Sequence, residues 1–599
     1  MIRQIPIGID DFRVLREKNF EYVDKTCFIT EFIDRESIKV ILVPRPRRFG
    51  KSMNLTMLKW FFEKTDENLW HLFEGLHVEK AGEKYRKHFQ KYPVIHVSFK
   101  ETKAESVDGF RESTRRAIRR MYEVHRGALD GKLEGADLKD FQAILNDEAT
   151  ETVYRWSLQN LTRYLHQVHG TRPIVLIDEY DAGIHAGYLH GFYDDVVHFF
   201  ASLFLAGLKD NPHLERAVMT GILRVSRESI FSELNNIGVY SLLRGEFNTC
   251  FGFTDEEVEA LLERVELPEM MEPLRNFYNG YEFGGVDIYN PWSILSFLSN
   301  VNKQLIPYWV NTSSNLLIKE LLQHHAFTVQ EEIETLLAGG GIEKELDENV
   351  VFPDLKKDPS ALWNLLVFSG YLKAQAGAPV FGEAPPPYRL SIPNKEIDKV
   401  YRTTFKAWMD EALTSQGGTL RALLDALLKG DVREFEYQLQ KFATSLPSYH
   451  DVRGTSPETF YHGMMIGLLA GLEPDYEVRS NRESGEGRPD VLIKPRYAGK
   501  PGAVLELKSA RKGETTIEKA MAEGLRQLGE NDYAADLRAA GVEKIQQMVV
   551  AFDGKRVMVL PKGAKPPKKK SAVKKVGESI GKAAKKVVAK AKKATLKKR

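Results

Sequence analysis

The sequence predicts an α/β protein with a parallel, helix-flanked sheet at its N-terminal end and a second, smaller α/β domain near its C-terminal end. Three observations carry that expectation. Short apolar runs alternate with helical periodicity over the first 300 residues. A basic, glycine-terminated turn, Arg45-Pro46-Arg47-Arg48-Phe49-Gly50-Lys51-Ser52, joins the first apolar run to a helix. Much later, Arg488-Pro489-Asp490 precedes Glu506-Leu507-Lys508 on two consecutive β-rich runs.

Length and composition set the frame. At 599 residues the chain has room for roughly three to five domains, each with its own core. Two cysteines, Cys27 and Cys250, exclude a disulfide scaffold and fit a reducing, cytoplasmic setting. No Cys/His cluster has zinc spacing. No apolar run reaches the length of a membrane span, and the first residues lack the apolar stretch of a signal peptide. The net charge of +2 hides an asymmetry. Residues 561–599 carry sixteen Lys/Arg and one acid, Glu578, for +15, leaving −13 on the preceding 560 residues.

The N-terminal elements follow in order. Lys39–Val43 is a β-rich run, after which Met53, Met57, Trp60 and Phe61 recur at helical spacing. Pro93–Phe99, Ile174–Asp178 and Ala217–Thr220 are the next expected strands. Strands separated by helices imply a parallel sheet covered on both faces. Ligands bind such sheets at the carboxyl ends of the strands, where Gly50, Asp178 and Thr220 all fall.

The chemistry of the first site follows from residue type. Backbone N–H groups and a helix N-terminus attract phosphate oxygens, Lys51 adds a mobile cation, and the Ser52 hydroxyl helps hold Mg²⁺. Asp178 would hold the same cation, directly or through water, and Glu179 would polarise an attacking water. Thr220 is placed to sense a terminal phosphate. Arg224 or Arg227 would neutralise transition-state charge in cis or from a neighbouring copy of the chain, so a homo-oligomer is one of two readings. A surface arginine pair is the competing one. Arg47 and Arg48 face the same choice between phosphate and a partner subunit. Arg45 stands where a phosphate loop usually has its first glycine.

Gly8-Ile-Asp-Asp-Phe12, Tyr22-Val-Asp-Lys-Thr26, the Arg45–Ser52 loop, Ile177-Asp-Glu-Tyr-Asp181 and Phe231-Ser-Glu-Leu-Asn-Asn236 together resemble the bacterial AAA-ATPase-like family. Tyr289-Asn-Pro-Trp292, Ser369-Gly-Tyr-Leu372 and Ser391-Ile-Pro-Asn394 extend the resemblance. It implies a P-loop NTPase fold with an additional strand, ATP as the nucleotide, and a C-terminal domain of the PD-(D/E)XK nuclease superfamily. The first loop position in that family is usually not glycine, which accommodates Arg45.

The C-terminal motif fits that implication. Glu506 and Lys508 share one face of a strand, and the sixteen-residue step back to Asp490 fits a hairpin through residues 495–502. Ser456-Pro457 would start a preceding helix bearing Glu458 and His462, and Gln527 lies on a following one. Helix, hairpin and helix carrying Glu458, Asp490, Glu506-x-Lys508 and Gln527 is the PD-(D/E)XK arrangement. Asp490 and Glu506 would hold Mg²⁺, and Lys508 would orient water.

The expected domains are 1–300 for the P-loop sheet, 301–400 for a winged-helix-like module, and 401–455 for a helical linker. Residues 456–560 form the nuclease-like domain and 561–599 a Lys-rich tail that is disordered when free. Lysines without aromatics favour salt-sensitive, sequence-independent nucleic-acid binding, DNA or RNA, over base recognition. A solvated tail, or one bound to an acidic surface, is the competing reading. A membrane-surface helix is weaker because the apolar residues are small. The leading functional expectation is an ATP-regulated, Mg²⁺-dependent nuclease, located at the nucleoid if the tail holds nucleic acid. The alternative is an ATP-switched scaffold that binds nucleic acid without cutting it. A nucleic-acid motor is disfavoured because no helicase motifs accompany the loop.

Overall fold

The computed structural model describes residues 3–223, 236–309, 420–445, 489–510, 515–554 and 556–565, together with parts of 317–403 and 461–480. The chain divides into two compact units, Met1–Thr404 and Phe405–Arg599. Among the described residues no helix is long and apolar enough to cross a membrane.

The first unit is built on five parallel strands: β1 (Val40–Pro44), β2 (Val94–Ser98), β3 (Ile174–Asp178), β4 (Arg216–Gly221) and β5 (Ile237–Val239). Their lateral order is β2-β3-β4-β1-β5. Every residue of β1, β3 and β4 is buried, as strands covered by helices on both faces require. β4 lies between β1 and β3, so an additional strand separates the loop-bearing strand from the acid-bearing one. β5 is short and only half-buried, which is why apolar patterning misses it. Phe12, Phe28, Phe61, Ile41, Ile174 and Val218 belong to one core cluster that joins the N-terminal helices to the sheet.

Capping fixes where the elements begin and end. Ser106 and Thr150 cap the helices Val107–Val124 and Glu151–His169, and left-handed Gly170 ends the second. Asn290 caps Pro291–Ser299, with proline at its first position, so Tyr289-Asn-Pro-Trp292 is a helix-start motif. A hairpin, β6 (Tyr281–Phe283) and β7 (Val286–Ile288), precedes it. Beyond lie helix Pro359–Phe368 and an antiparallel sheet of β8 (Ile342–Lys344), β9 (Lys373–Gln375) and β10 (Tyr388–Ser391), ordered β8-β10-β9. Residues 231–235 of the Phe231–Asn236 motif lie outside the described residues.

The second unit holds a mixed sheet, β11 (Tyr476–Ser480), β12 (Val491–Pro495), β13 (Gly502–Ser509), β14 (Ile545–Asp553) and β15 (Arg556–Pro561), in sequence order. Only the β13–β14 pair is parallel; helix Ile517–Glu530 lies in the connection between these strands and packs against both. Helices Leu420–Lys429 and Val432–Ser445 belong to this unit. Glu436 and Gln440 accept the β15 amides of Val559 at 2.7 Å and Val557 at 2.9 Å, which covers an edge strand. Ser456 to Phe460, residues 481–488 and the tail from 566 onward lie outside the described residues.

Candidate nucleotide and metal sites

β1 delivers the chain into the basic loop, and Gly50, at φ +84°, turns it into helix Lys51–Phe62. An L-residue adopts that backbone only under strain, so glycine is the fitting choice. The buried Lys51 Nζ donates to the carbonyls of Arg45 and Pro46, each at 3.0 Å. Burial lowers its pKa, while the nearby carboxylates of Glu179, Asp178 and Asp181 favour the charged form.

Opposite the helix start, the Ser52 hydroxyl donates to Asp178 Oδ2 at 2.6 Å and the Thr220 hydroxyl to Oδ1 at 2.7 Å. Three residues from three separate chain segments therefore converge at the carboxyl ends of β1, β3 and β4. Hydroxyl and carboxylate oxygens are the hard donors that Mg²⁺ takes, so Ser52 and Asp178 fit that cation.

Glu179 follows at φ +48° and pairs with Lys103 at 3.5 Å. Burial pushes its pKa up, but Lys103, Lys51 and Arg47 overcome that effect and hold it below the ordinary glutamate range. Asp181 turns the other way: its buried Oδ2 accepts the amides of Ile222 at 2.8 Å and Leu223 at 3.1 Å. It thus ties the segment after β4 to the segment after β3.

The basic residues of the loop separate into different environments. Arg45 is fully buried, and its guanidinium donates to Tyr240 O at 2.7 Å, Pro44 O at 2.9 Å and Phe247 O at 3.0 Å. It lies beside the rings of Phe251 and Phe283, and burial lowers its pKa to about 10. Its side chain is a core strut; only its carbonyl faces Lys51. Phe49 is buried against Tyr281 and Phe283. Arg48 stacks on Trp292, 3.8 Å from the ring centroid. Arg47 lines a cavity with Glu179, Asp181, Lys103, His185 and Tyr371. Arg224 and Arg227 lie outside the described residues.

The loop is also held from the middle of the chain. Asn290 Nδ2 and Trp309 Nε1 both donate to Arg47 O, at 3.4 and 3.3 Å. A Cβ on Gly370, at φ +87°, would meet Pro46 Cβ at 3.0 Å. No sequence motif marks Lys103, which pairs with Glu179 through the fold. The β2–β3 register pairs Ser98 with Asp178, which places residues after β2 beside those after β3.

In the second unit, β12 pairs with β13 through Val491 and Leu505, so Asp490 falls beside Glu506. Asp490 Oδ2 accepts the Leu507 amide at 2.7 Å. Glu506 is 3% exposed, and its Oε1 accepts from Lys508 Nζ at 2.8 Å. Strand alternation puts both side chains on one face. The ring Nε2 of His462 is 3.3 Å from Asp490 O.

Helix Ile517–Glu530 lies close because of Gly524. A Cβ there would meet Val549 Cγ1 at 2.5 Å and Lys508 Cγ at 3.2 Å. Gln527 follows one turn later, its Oε1 buried and without a hydrogen-bond partner among the described residues. Tyr533, which no motif marked, is buried nearby; burial and then the Glu506 charge raise its phenol pKa. Asn531 Nδ2 links Gln527 O, at 3.1 Å, to the Tyr533 hydroxyl, at 3.0 Å. Among the described residues no three His, Cys, Asp or Glu side chains gather as a metal cage. Asp490 and Glu506 supply two carboxylates, a donor set that fits Mg²⁺ completed by water and substrate oxygens. Glu458 lies outside the described residues.

Comparison with known proteins agrees with both halves. A family described as predicted AAA-ATPase matches residues 6–231, and the PD-(D/E)XK nuclease superfamily matches residues 456–561. An uncharacterized protein from the vnfD 5′ region of Azotobacter chroococcum mcd 1 is 28% identical over 568 residues, covering 92% of this chain and 96% of that protein. A chain from the structure of Drosophila ORC bound to AT-rich DNA and Cdc6 aligns with 65% of this chain and 90% of its own length. Its identity is 11% and its TM-score 0.16, a likeness that carries no argument. This protein therefore carries an N-terminal AAA-ATPase-like domain over residues 6–231 and a C-terminal PD-(D/E)XK nuclease superfamily domain over residues 456–561.

Proposed function

We propose that this protein binds and hydrolyses ATP and couples that cycle to a Mg²⁺-dependent nuclease domain acting on nucleic acid. The observation that carries the reading is the convergence of the Ser52 and Thr220 hydroxyls on the Asp178 carboxylate, beside Lys51 and Glu179. Lys51 exchanges two loop carbonyls for terminal phosphate oxygens when nucleotide arrives. Glu179, held ionised by its cationic neighbours, orients the attacking water and accepts its proton. Thr220 reports the occupied site to β4, and Asp181 keeps the following segment in register with β3. Mg²⁺, when bound by Ser52 and Asp178, supplies charge neutralisation on the phosphates.

In the second unit, Asp490 and Glu506 would hold Mg²⁺, which would supply charge stabilisation to the phosphodiester. Lys508, tethered to Glu506, positions water for in-line attack, and Gln527 faces that attack from the helix. The Lys-rich tail adds affinity for the polyanion. A nuclease restrained until nucleotide licenses it suits defence against foreign nucleic acid in the cytoplasm.

The test is a cleavage panel with single- and double-stranded DNA and RNA, with and without ATP and Mg²⁺, using Asp490→Ala as control. ATP-dependent cutting by the full chain and none by the variant is the expected result. Mg²⁺ binding without cutting under any condition would replace this reading with a non-cleaving, ATP-switched scaffold.

A further inference from the structure

The chain has two cysteines, and folding brings them together from 223 residues apart: Cys27 Sγ lies 3.5 Å from Cys250 Sγ. Both are free thiols; Cys250 is fully buried and Cys27 is half-buried. Cys250 in turn donates to Glu31 Oε1 at 3.3 Å, and Glu31 Oε2 is anchored by the Phe247 amide at 3.0 Å. Burial, Cys27 and Glu31 together keep the Cys250 thiol protonated. The three groups form a directional relay from Cys27 through Cys250 to a carboxylate.

The surroundings give this relay a target. Cys250 O accepts Asn54 Nδ2 at 2.8 Å, from the helix that begins at Lys51. The next residue, Phe251, lies under the Arg45 guanidinium, and Gly252 N donates to Phe49 O at 3.3 Å. One short segment carrying Cys250 thus touches the phosphate loop at its start, its end and its following helix.

We propose that Cys27 and Cys250 are a redox pair whose reversible disulfide changes the nucleotide affinity of the phosphate loop. The second half of this inference rests on the ATP-binding reading above; the first half does not. With a peroxide as oxidant, the half-buried Cys27 sulfur attacks one peroxide oxygen. The O–O bond breaks, Cys27 becomes a sulfenic acid, and hydrogen peroxide leaves its second oxygen as water. The Cys250 sulfur then attacks the sulfenic sulfur, giving its proton to Glu31. The S–S bond forms, and the departing hydroxide takes that proton and leaves as a second water. Two thiol sulfurs are oxidised and two peroxide oxygens reduced. The sulfurs must approach by about 1.5 Å to reach bonding distance, a movement side-chain rotation with a small backbone shift provides. That movement draws the 247–252 segment toward helix Cys27–Asp34 and away from its contacts with Phe49 and Asn54.

The experiment treats the full chain with hydrogen peroxide, then measures intact mass, thiol count and binding of a fluorescent ATP analogue, before and after dithiothreitol. The expected result is loss of two hydrogens and both thiols, a Cys27–Cys250 cross-linked peptide, and at least threefold weaker nucleotide binding, all reversed by reductant. Cys27→Ser, at the more accessible position, should abolish every response while binding nucleotide like the reduced protein. Both thiols still titrating after oxidation, or over-oxidation of Cys27 without a cross-link, would overturn the pair. A cross-link with affinity unchanged within twofold would overturn its link to the loop. If the reduced protein binds no nucleotide, the ATP reading fails, and the mass and thiol readouts still decide the disulfide.

Discussion

Ser52 and Asp178, 126 residues apart in the chain, are joined by a hydroxyl-to-carboxylate hydrogen bond of 2.6 Å. Thr220 donates to the other Asp178 oxygen, so the carboxylate accepts from both the helix that follows β1 and from β4.

Lys51→Ala is expected to leave the chain folded and to reduce ATP hydrolysis by roughly 10² or more, the loss typical of a main electrostatic contact in a water-poor site. Among the described residues Lys51 Nζ donates to two loop carbonyls, bonds that an incoming phosphate would replace. Phosphate release together with a circular-dichroism melt checks it; near wild-type turnover would remove Lys51 from the assignment.

Glu179→Gln should keep ATP binding and block turnover, because shape is retained and the proton acceptor is lost. The lowered pKa of Glu179 means that it stays ionised down through the ordinary glutamate range and is protonated only at more acidic pH. The acid limb of the ATPase profile should therefore lie low and move to higher pH in Lys103→Met, which removes a cation paired at 3.5 Å. If Glu179→Gln still turns over, Asp181 becomes the candidate base.

Arg45→Ala is expected to act on stability. Three backbone carbonyls would lose their donor, each worth about 1–3 kcal/mol when left unsatisfied in the interior. A large drop in melting temperature, against a small one for Lys51→Ala, is the outcome to look for. Equal melts with lost nucleotide binding would mean that the guanidinium serves phosphate.

Asp490→Ala and Glu506→Ala should each eliminate Mg²⁺-dependent cleavage while ATPase activity survives. Lys508→Ala should retain metal binding and cut slowly, since it removes water positioning and leaves the carboxylates in place. Paired cleavage and phosphate-release assays separate these cases, and cutting by Asp490→Ala would place the centre elsewhere.

Deleting residues 561–599 should weaken nucleic-acid binding for all sequences and flatten its salt dependence. The segment carries +15 on an otherwise acidic chain, and each phosphate neutralised releases counterions. Affinity measured against salt for both forms checks it; identical slopes would give the tail another role.

Local features were legible in the sequence because they depend on a few neighbouring residues. Five-residue apolar runs marked β1 and β3, and the residues that end them, Gly50 through Ser52 and Asp178-Glu179, had to lie at strand ends. Period-two alternation alone put Glu506 and Lys508 on one face. What the sequence left open depends on lateral packing. Thr220 reaches Asp178 because β4 inserts between β1 and β3, and strand order carries no local signature. Arg45 belongs in one dimension to the basic phosphate-binding loop, yet the folded chain directs its guanidinium to three backbone carbonyls in the core. Lys103 meets Glu179, and Cys27 meets Cys250, only once distant segments share a boundary. Backbone periodicity is set residue by residue, whereas the destination of a long or reactive side chain is set by desolvation and by which partners the whole fold leaves within reach.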